Sequence, residues 1–234
     1  MVLHGSKFFH DVVYRGVGDD LQKFFHYIML VRVFIMSLVL IIIFRVISSV
    51  YKYRSFKKGE ILEWVWTVIP MLILAVLWFP SASNLYLINH ADEPKWSFKA
   101  LGHQWYWSYE FLRKDHEQLR IDSYLDRRCE ETGGYRLLDV DQRIVAPAKT
   151  QIRLLVSSAD VLHSFALPAL ILKVDAVPGR INQLPFNVHR CGVTYGQCSE
   201  ICGVNHSFMP IVIEFIPIKE FGQWLAKVRD EQLG

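Results

Sequence analysis

The segment Tyr195-Gly196-Gln197-Cys198-Ser199-Glu200-Ile201-Cys202-Gly203-Val204-Asn205-His206-Ser207-Phe208-Met209 packs Cys-x3-Cys-x3-His-x2-Met into a dozen residues. Thiolate and thioether are soft ligands that select copper(I) and zinc over hard cations. The thioether is the telling member. Zinc sites use Cys, His and carboxylates, whereas Met is a common weak ligand at copper electron-transfer sites. A second imidazole is available in Asp160-Val161-Leu162-His163-Ser164-Phe165, just after a strand-like run. Taken singly, His163 would read as a hydrogen-bonded core residue and Met209 as core filler. Convergence on one motif changes that reading. From the residues alone, a structural Cys2His2 zinc site stays open. Cys129 and Cys191 have no such company and read as structural or free thiols.

Around this segment the chain has the texture of short strands and turns. Trp96 to Phe111 is aromatic-rich and strand-like. Gln151 to Ser157 alternates with period two, placing Ile152, Leu154 and Val156 on one face. Pro210 to Ile218 is β-branched and apolar. Gly133-Gly134, Pro178-Gly179 and Pro185 read as turn signals. Short strands at this spacing predict a β-sandwich or small barrel. The tail differs, because Phe221, Trp224, Leu225 and Val228 recur at helical spacing and predict a short amphipathic helix.

The first third belongs to another class. Two long apolar segments, about Phe24 to Val50 and about Leu62 to Ile88, each exceed the roughly 20 residues a span requires. Arg45 sits near an end of the first, where it can snorkel to the interface. Arg32 lies deeper and is expected to face a partner protein or a polar pocket. Pro70 and Pro80 interrupt the second, as transmembrane helices tolerate. Trp64, Trp66 and Tyr86 suit interfacial positions. Lys52, Arg54, Lys57 and Lys58 cluster between the segments. The positive-inside rule assigns that loop to the cytoplasm or mitochondrial matrix, and both termini to the other side. Residues 1–90 carry 9 basic and 5 acidic side chains, whereas the rest is close to balanced, with 17 and 18. The net +3 is therefore a property of the anchor, and nothing suggests a nucleic-acid surface. The start lacks the basic, apolar and small-residue order of a cleavable signal. The expected organisation is an anchor over residues 1–90 and a metal domain over residues 91–234.

The Cys198–Met209 motif and Asp160–His163 resemble the two segments that build the dinuclear copper A centre in subunit II of cytochrome c oxidase. The resemblance extends over nearly the whole chain. It includes Glu63-Trp64-Val65-Trp66-Thr67-Val68-Ile69-Pro70 and Gly102-His103-Gln104-Trp105-Tyr106-Trp107-Ser108-Tyr109-Glu110. Arg136-Leu137-Leu138-Asp139-Val140-Asp141 and Asp175-Ala176-Val177-Pro178-Gly179-Arg180 continue it in order. It implies a two-helix transmembrane hairpin followed by an all-β cupredoxin-like sandwich or barrel with a short C-terminal helix.

The resemblance also implies roles. Cys198 and Cys202 match the sulfurs that bridge two copper ions, His163 and His206 the terminal imidazoles, and Met209 the thioether. Glu200 matches the residue that lends its backbone carbonyl, and its side chain matches a ligand to a magnesium ion shared with subunit I. Trp105 matches the aromatic residue where electrons arrive from cytochrome c, and Glu63 a carboxylate near the mouth of a proton-uptake path. The implied partners are subunit I, other oxidase subunits, cytochrome c and membrane lipid. The implied location is the mitochondrial inner membrane, with the copper domain and both termini in the intermembrane space. The bacterial plasma membrane and periplasm form the alternative. Three features depart from the family. Ala159-Asp160 replaces two adjacent acids, Phe165 stands for a common Trp, and the loop after Glu110 brings in Arg113 and Lys114. The first and third weaken any assignment of cytochrome c docking residues, which depends on acidic charge.

Two competing readings are discriminated by residues. A copper-free quinol-oxidase subunit II would lack the ligand set, and all of its members stand here. A tethered copper carrier or zinc module would not require the aromatic strand around Trp105 or the basic hairpin loop.

Overall fold

The computed structural model describes residues 17–51, 59–89, 93–111, 119–128 and 133–233. Residues Asp19–Leu87 form one compact unit, and the chain from Ile88 onward belongs to another.

The first unit holds two helices, α1 (Val17–Ser48) and α2 (Glu60–Asn89). α1 begins ahead of the apolar run that starts at Phe24. Asp20 sits in its opening turns, where the helix dipole favours acids, and Lys23 pairs with it at 3.1 Å. The candidate spans are Asp20–Ser48 and Glu60–Ile88, 29 residues each, and the most apolar 18-residue stretches within them have mean hydropathy 2.7 and 2.0. At 1.5 Å per residue such a helix is about 43 Å long, more than the ~30 Å hydrocarbon core of a bilayer. Phe34, Leu40 and Ile47 of α1, and Trp64, Leu74 and Phe79 of α2, point outward. Water would penalise that surface, whereas lipid or a membrane partner does not. Both Pro70 and Pro80 lie inside α2. Arg32 is exposed on α1. The basic loop of Lys52, Arg54, Lys57 and Lys58 lies outside the described residues, as do Arg113, Lys114 and Cys129.

The second unit is a two-sheet β-sandwich. One sheet runs in the order β3 (Leu119–Ser123), β2 (Tyr106–Phe111), β1 (Trp96–His103), β5 (Gln151–Ser158), β8 (Asn182–Asn187). The other runs β4 (Ile144–Pro147), β10 (Pro210–Ile216), β9 (Gly192–Cys198), β6 (His163–Leu167), β7 (Leu172–Ala176). Within each sheet most neighbours are antiparallel, but β1 runs parallel to β5 and β4 parallel to β10. Ile152, Leu154 and Val156 are fully buried, as the alternation predicts. The stretch Trp96–Phe111 is two strands rather than one, folded back at Gln104-Trp105 with His103 opposite Tyr106. Pro185 also departs from expectation. It lies inside β8, opposite Arg153, and β8 is the last strand of its sheet, where a missing N–H costs no ladder bond.

Large aromatic side chains fill the space between the sheets. Trp107 meets Phe165 edge-on at 5.3 Å, and Phe186 meets Phe215 edge-on at 6.3 Å. All four are fully buried, and each such burial stabilises the fold by about 1.5–3 kcal/mol. α3 (Ile218–Leu233) covers one edge of this core. Phe221 is buried, and Trp224, Leu225 and Val228 pack beside it. Gly196 is required where β9 passes β6, since a Cβ there would lie 1.9 Å from the Ala166 carbonyl oxygen.

Candidate metal centre

Three connections meet at one end of the sandwich. The β9–β10 connection carries Cys198 at the end of β9, then Glu200, Cys202, His206 and Met209 before β10 begins. The β5–β6 connection ends on His163, the first residue of β6. Pairing of Phe165 with Cys198 sets the two strand ends side by side, and Ser199 N–H donates to the Ser164 carbonyl at 3.0 Å. The third is the β1–β2 turn, whose strand precedes it with Gly102, and Ala159 N–H donates to the Gly102 carbonyl at 3.0 Å.

The donors converge. His163, Cys198 and Cys202 are buried, and their ligand atoms lie within 4.8 Å of one another. Cys198 Sγ is 3.8 Å from His163 Nδ1 and 4.0 Å from Cys202 Sγ. Cys202 Sγ is 3.5 Å from both His206 Nδ1 and Met209 Sδ. The Glu200 carbonyl oxygen is 3.3 Å from Cys198 Sγ. Metal–sulfur and metal–nitrogen bonds of about 2.3 and 2.0 Å set an S and an N on one tetrahedral ion about 3.5 Å apart. The observed spacings fit sulfurs and nitrogens that share metal ions. Met209, almost wholly buried beside Cys202, places the thioether inside the cluster and favours copper over a closed Cys2His2 zinc site.

His163 is aimed from behind. Its Nε2 lies 2.8 Å from Asp160 Oδ1, which leaves Nδ1 for the cluster. Asp160 is itself held by the N–H groups of Gln104 at 2.7 Å and Val161 at 2.6 Å. Burial opposes its ionisation, but His163 and these N–H groups outweigh that and keep its carboxyl below the ordinary value. His163 is shifted up despite burial, by Cys198 and Asp160. For Cys198, burial disfavours the thiolate, yet the His163 ring and the backbone at Ser164 and Glu200 bring the thiol down to about 6. Burial and the neighbouring Cys198 push Cys202 up to about 12. A bound cation would favour the thiolate form of both sulfurs.

Trp105 lies half-buried over this loop and donates from Nε1 to the Cys202 carbonyl at 3.2 Å. Gly203, with φ +123°, sits beneath it, and a Cβ there would lie 3.0 Å from the indole. Glu63 belongs to the other structural unit. It lies exposed in the first turn of α2, where its carbonyl accepts the Thr67 hydroxyl at 2.9 Å. Asp160, Gln104 and Gly102 are the residues that sequence reasoning assigned no role. The motif around Trp105 and the run before His163 were visible, but not their contacts.

A helical pair that suits a membrane and a two-sheet domain ending in a buried cage of soft donors define a membrane-anchored cupredoxin with a copper site. Comparison with known proteins narrows this class. Residues 96–216 match the family described as cytochrome c oxidase subunit II, periplasmic domain, and residues 16–83 match its transmembrane domain. A cytochrome c oxidase subunit 2 from Mytilus edulis is 50% identical, over 96% of this chain and 98% of its own length. One from Branchiostoma floridae is 47% identical, over 92% and 94%. The crystal structure of the periplasmic domain of subunit II (CoxB) of Bradyrhizobium japonicum matches with a TM-score of 0.56 and 41% identity, covering 61% of this chain and 99% of that one. The chain belongs to the cytochrome c oxidase subunit II family, and thus to a haem-copper terminal oxidase.

Proposed function

We propose that this chain is the subunit through which electrons enter the oxidase, taking them from cytochrome c and passing them to haem in subunit I, where oxygen is reduced to water. The observation that carries the reading is the convergence of two thiols, two imidazole Nδ1 atoms, a thioether and a backbone carbonyl at one end of a rigid sandwich. When bound there, a pair of copper ions supplies one-electron chemistry with little change of geometry.

The chain's own residues do the rest. Cys198 and Cys202 would hold the pair through their sulfurs and His163 and His206 through their imidazoles, with Met209 and the Glu200 carbonyl as weaker donors. Asp160 fixes the His163 tautomer, and the buried Trp107 limits the ring's movement from one side at 5.9 Å. Trp105 sits half-exposed with its indole N–H on the backbone of a ligand residue, a position suited to receiving an electron from a docked partner. The Glu200 carboxylate would join subunit I in holding magnesium. Glu63, in the first turn of α2, would stand near the mouth of a proton path. Family membership and the two apolar helices support an inner mitochondrial membrane setting in contact with lipid. The domain from residue 91 onward would then lie in the intermembrane space, facing cytochrome c.

The test uses the purified oxidase. Copper content and EPR are compared between wild type and Cys198→Ser. The expected result is an EPR pattern of one electron shared over two copper nuclei, lost in the variant together with two coppers per complex. A wild-type complex that shows no such signal and holds zinc in this subunit would overturn the reading.

A further inference from the structure

The β1–β2 turn touches both connections that carry the donors. Gln104 Nε2 donates to the Cys202 carbonyl at 2.7 Å, and Trp105 Nε1 donates to the same oxygen at 3.2 Å. A carbonyl oxygen has two lone pairs, so its acceptor capacity is filled. On the other side, the Gln104 backbone N–H donates to Asp160 Oδ2 at 2.7 Å, while Asp160 Oδ1 meets His163 Nε2 at 2.8 Å. One residue thus reaches the Cys202 loop with its side chain and the support of His163 with its main chain.

The peptide between Cys202 and Gly203 is where such support matters. Gly203 has φ +123°, and glycine populates both signs of φ with little preference. Left to itself, that peptide plane can rotate at small conformational cost. Rotation would turn the Cys202 carbonyl away. It would also move the chain toward His206, whose N–H is bonded to the Gly203 carbonyl at 3.2 Å. We infer that Gln104 is a positioning residue: with the Trp105 indole, its amide locks the Cys202–Gly203 peptide and so keeps Cys202 and His206 in place at the centre. This rests on the copper reading above. Gln104 is exposed, so its bulk contributes little to packing, and its two hydrogen bonds are what it has to offer.

The experiment is done on the purified oxidase. Gln104→Met keeps the length of the side chain and removes the donor; Gln104→Lys keeps a donor of similar reach. Readouts are the copper hyperfine pattern and the rate at which a chelator strips copper, neither of which depends on turnover or on cytochrome c docking. Loss of an outer partner costs about 10–100-fold in metal affinity. Gln104→Met is therefore expected to alter the hyperfine pattern and to release copper about 10-fold faster. Gln104→Lys should stay close to wild type. Gln104→Met with the wild-type pattern and release rate overturns the inference, and so does an equal change in both variants. A wild type without the two-copper signal overturns the proposed function, and this inference with it, so the two failures are told apart by the unmutated protein.

Discussion

Adding one methyl group at Gly102 tests whether the His163 ring is held where the centre needs it. A Cβ at Gly102 would stand 2.9, 3.0 and 3.1 Å from the His163 Cδ2, Cγ and Cβ atoms. The ring has little room to retreat. It is fully buried, its Nε2 is bonded to Asp160, and Trp107 lies against it at 5.9 Å. Gly102 is constrained as well, since its carbonyl accepts the Ala159 N–H and β1 is registered against Ser158. Overpacking of this kind costs about 1–3 kcal/mol. Less than about 1 kcal/mol returns through the stiffer unfolded chain. Gly102→Ala should therefore destabilise the β-domain by about 1–2 kcal/mol, which at this size lowers Tm by about 2–8 °C. Gly222→Ala is the control, because Gly222 lies exposed in α3 with nothing within 4 Å of its would-be Cβ. There the same change should stabilise by about 0.5–1 kcal/mol. Thermal unfolding of the copper-free protein in detergent measures both, and copper EPR reports the displaced imidazole. A Gly102→Ala protein that melts with wild type and keeps its EPR pattern would show that the ring moves freely, and the account of Asp160 as its anchor would fall.

The remaining predictions concern the thiols and the outer face of β1. Cys198 and Cys202 hold their sulfurs 4.0 Å apart, and a disulfide needs about 2.05 Å, a closure within reach of one short loop. The copper-free protein should therefore form this bond in air and take up copper again only after a dithiol reductant; persistence of both free thiols under mild oxidant, by thiol counting, would refute it. His103 stacks on Tyr106 at 4.4 Å and meets the Ser108 hydroxyl at 2.8 Å, and burial, then the Arg120 charge, lowers its pKa from 6.5. The unfolded chain then binds the proton first, so this residue contributes a loss of stability as pH falls below 6.5 and none above it. His103→Gln should lose less Tm than wild type between about pH 7 and pH 5, and equal losses would remove His103 as the cause.

The membrane part was legible because its signal is local and redundant. Apolar residues fill two segments longer than a span needs, and no single side chain decides the matter. The β-domain was legible where one face is buried, as at Ile152, Leu154 and Val156. It was not legible at Gln104-Trp105, where the chain reverses without glycine, proline or asparagine, so an aromatic hairpin reads as one long strand. Pro185 misleads in the opposite way. A turn signal is also compatible with an edge strand, and which strand is an edge is settled only by the whole sheet.

The same division runs through the metal centre. Cys198, Cys202, His206 and Met209 are visible together because one loop holds them at fixed spacing. Their aim is set elsewhere. Gln104 is 56 residues from Asp160 and 98 from Cys202 along the chain, and nothing in any of these segments alone predicts that they touch. What brings them together is sheet topology. The parallel β1–β5 pair delivers Gly102 and Gln104 to the start of the His163 connection, and the β6–β9 pair delivers His163 to Cys198. A spacing motif thus names the donors, while the strand order decides whether they form a cage. It follows that the residues most damaging to replace include some with no metal chemistry of their own. Gly196 is one, because a side chain there would strike the Ala166 backbone and part the two strands on which His163 and Cys198 are mounted.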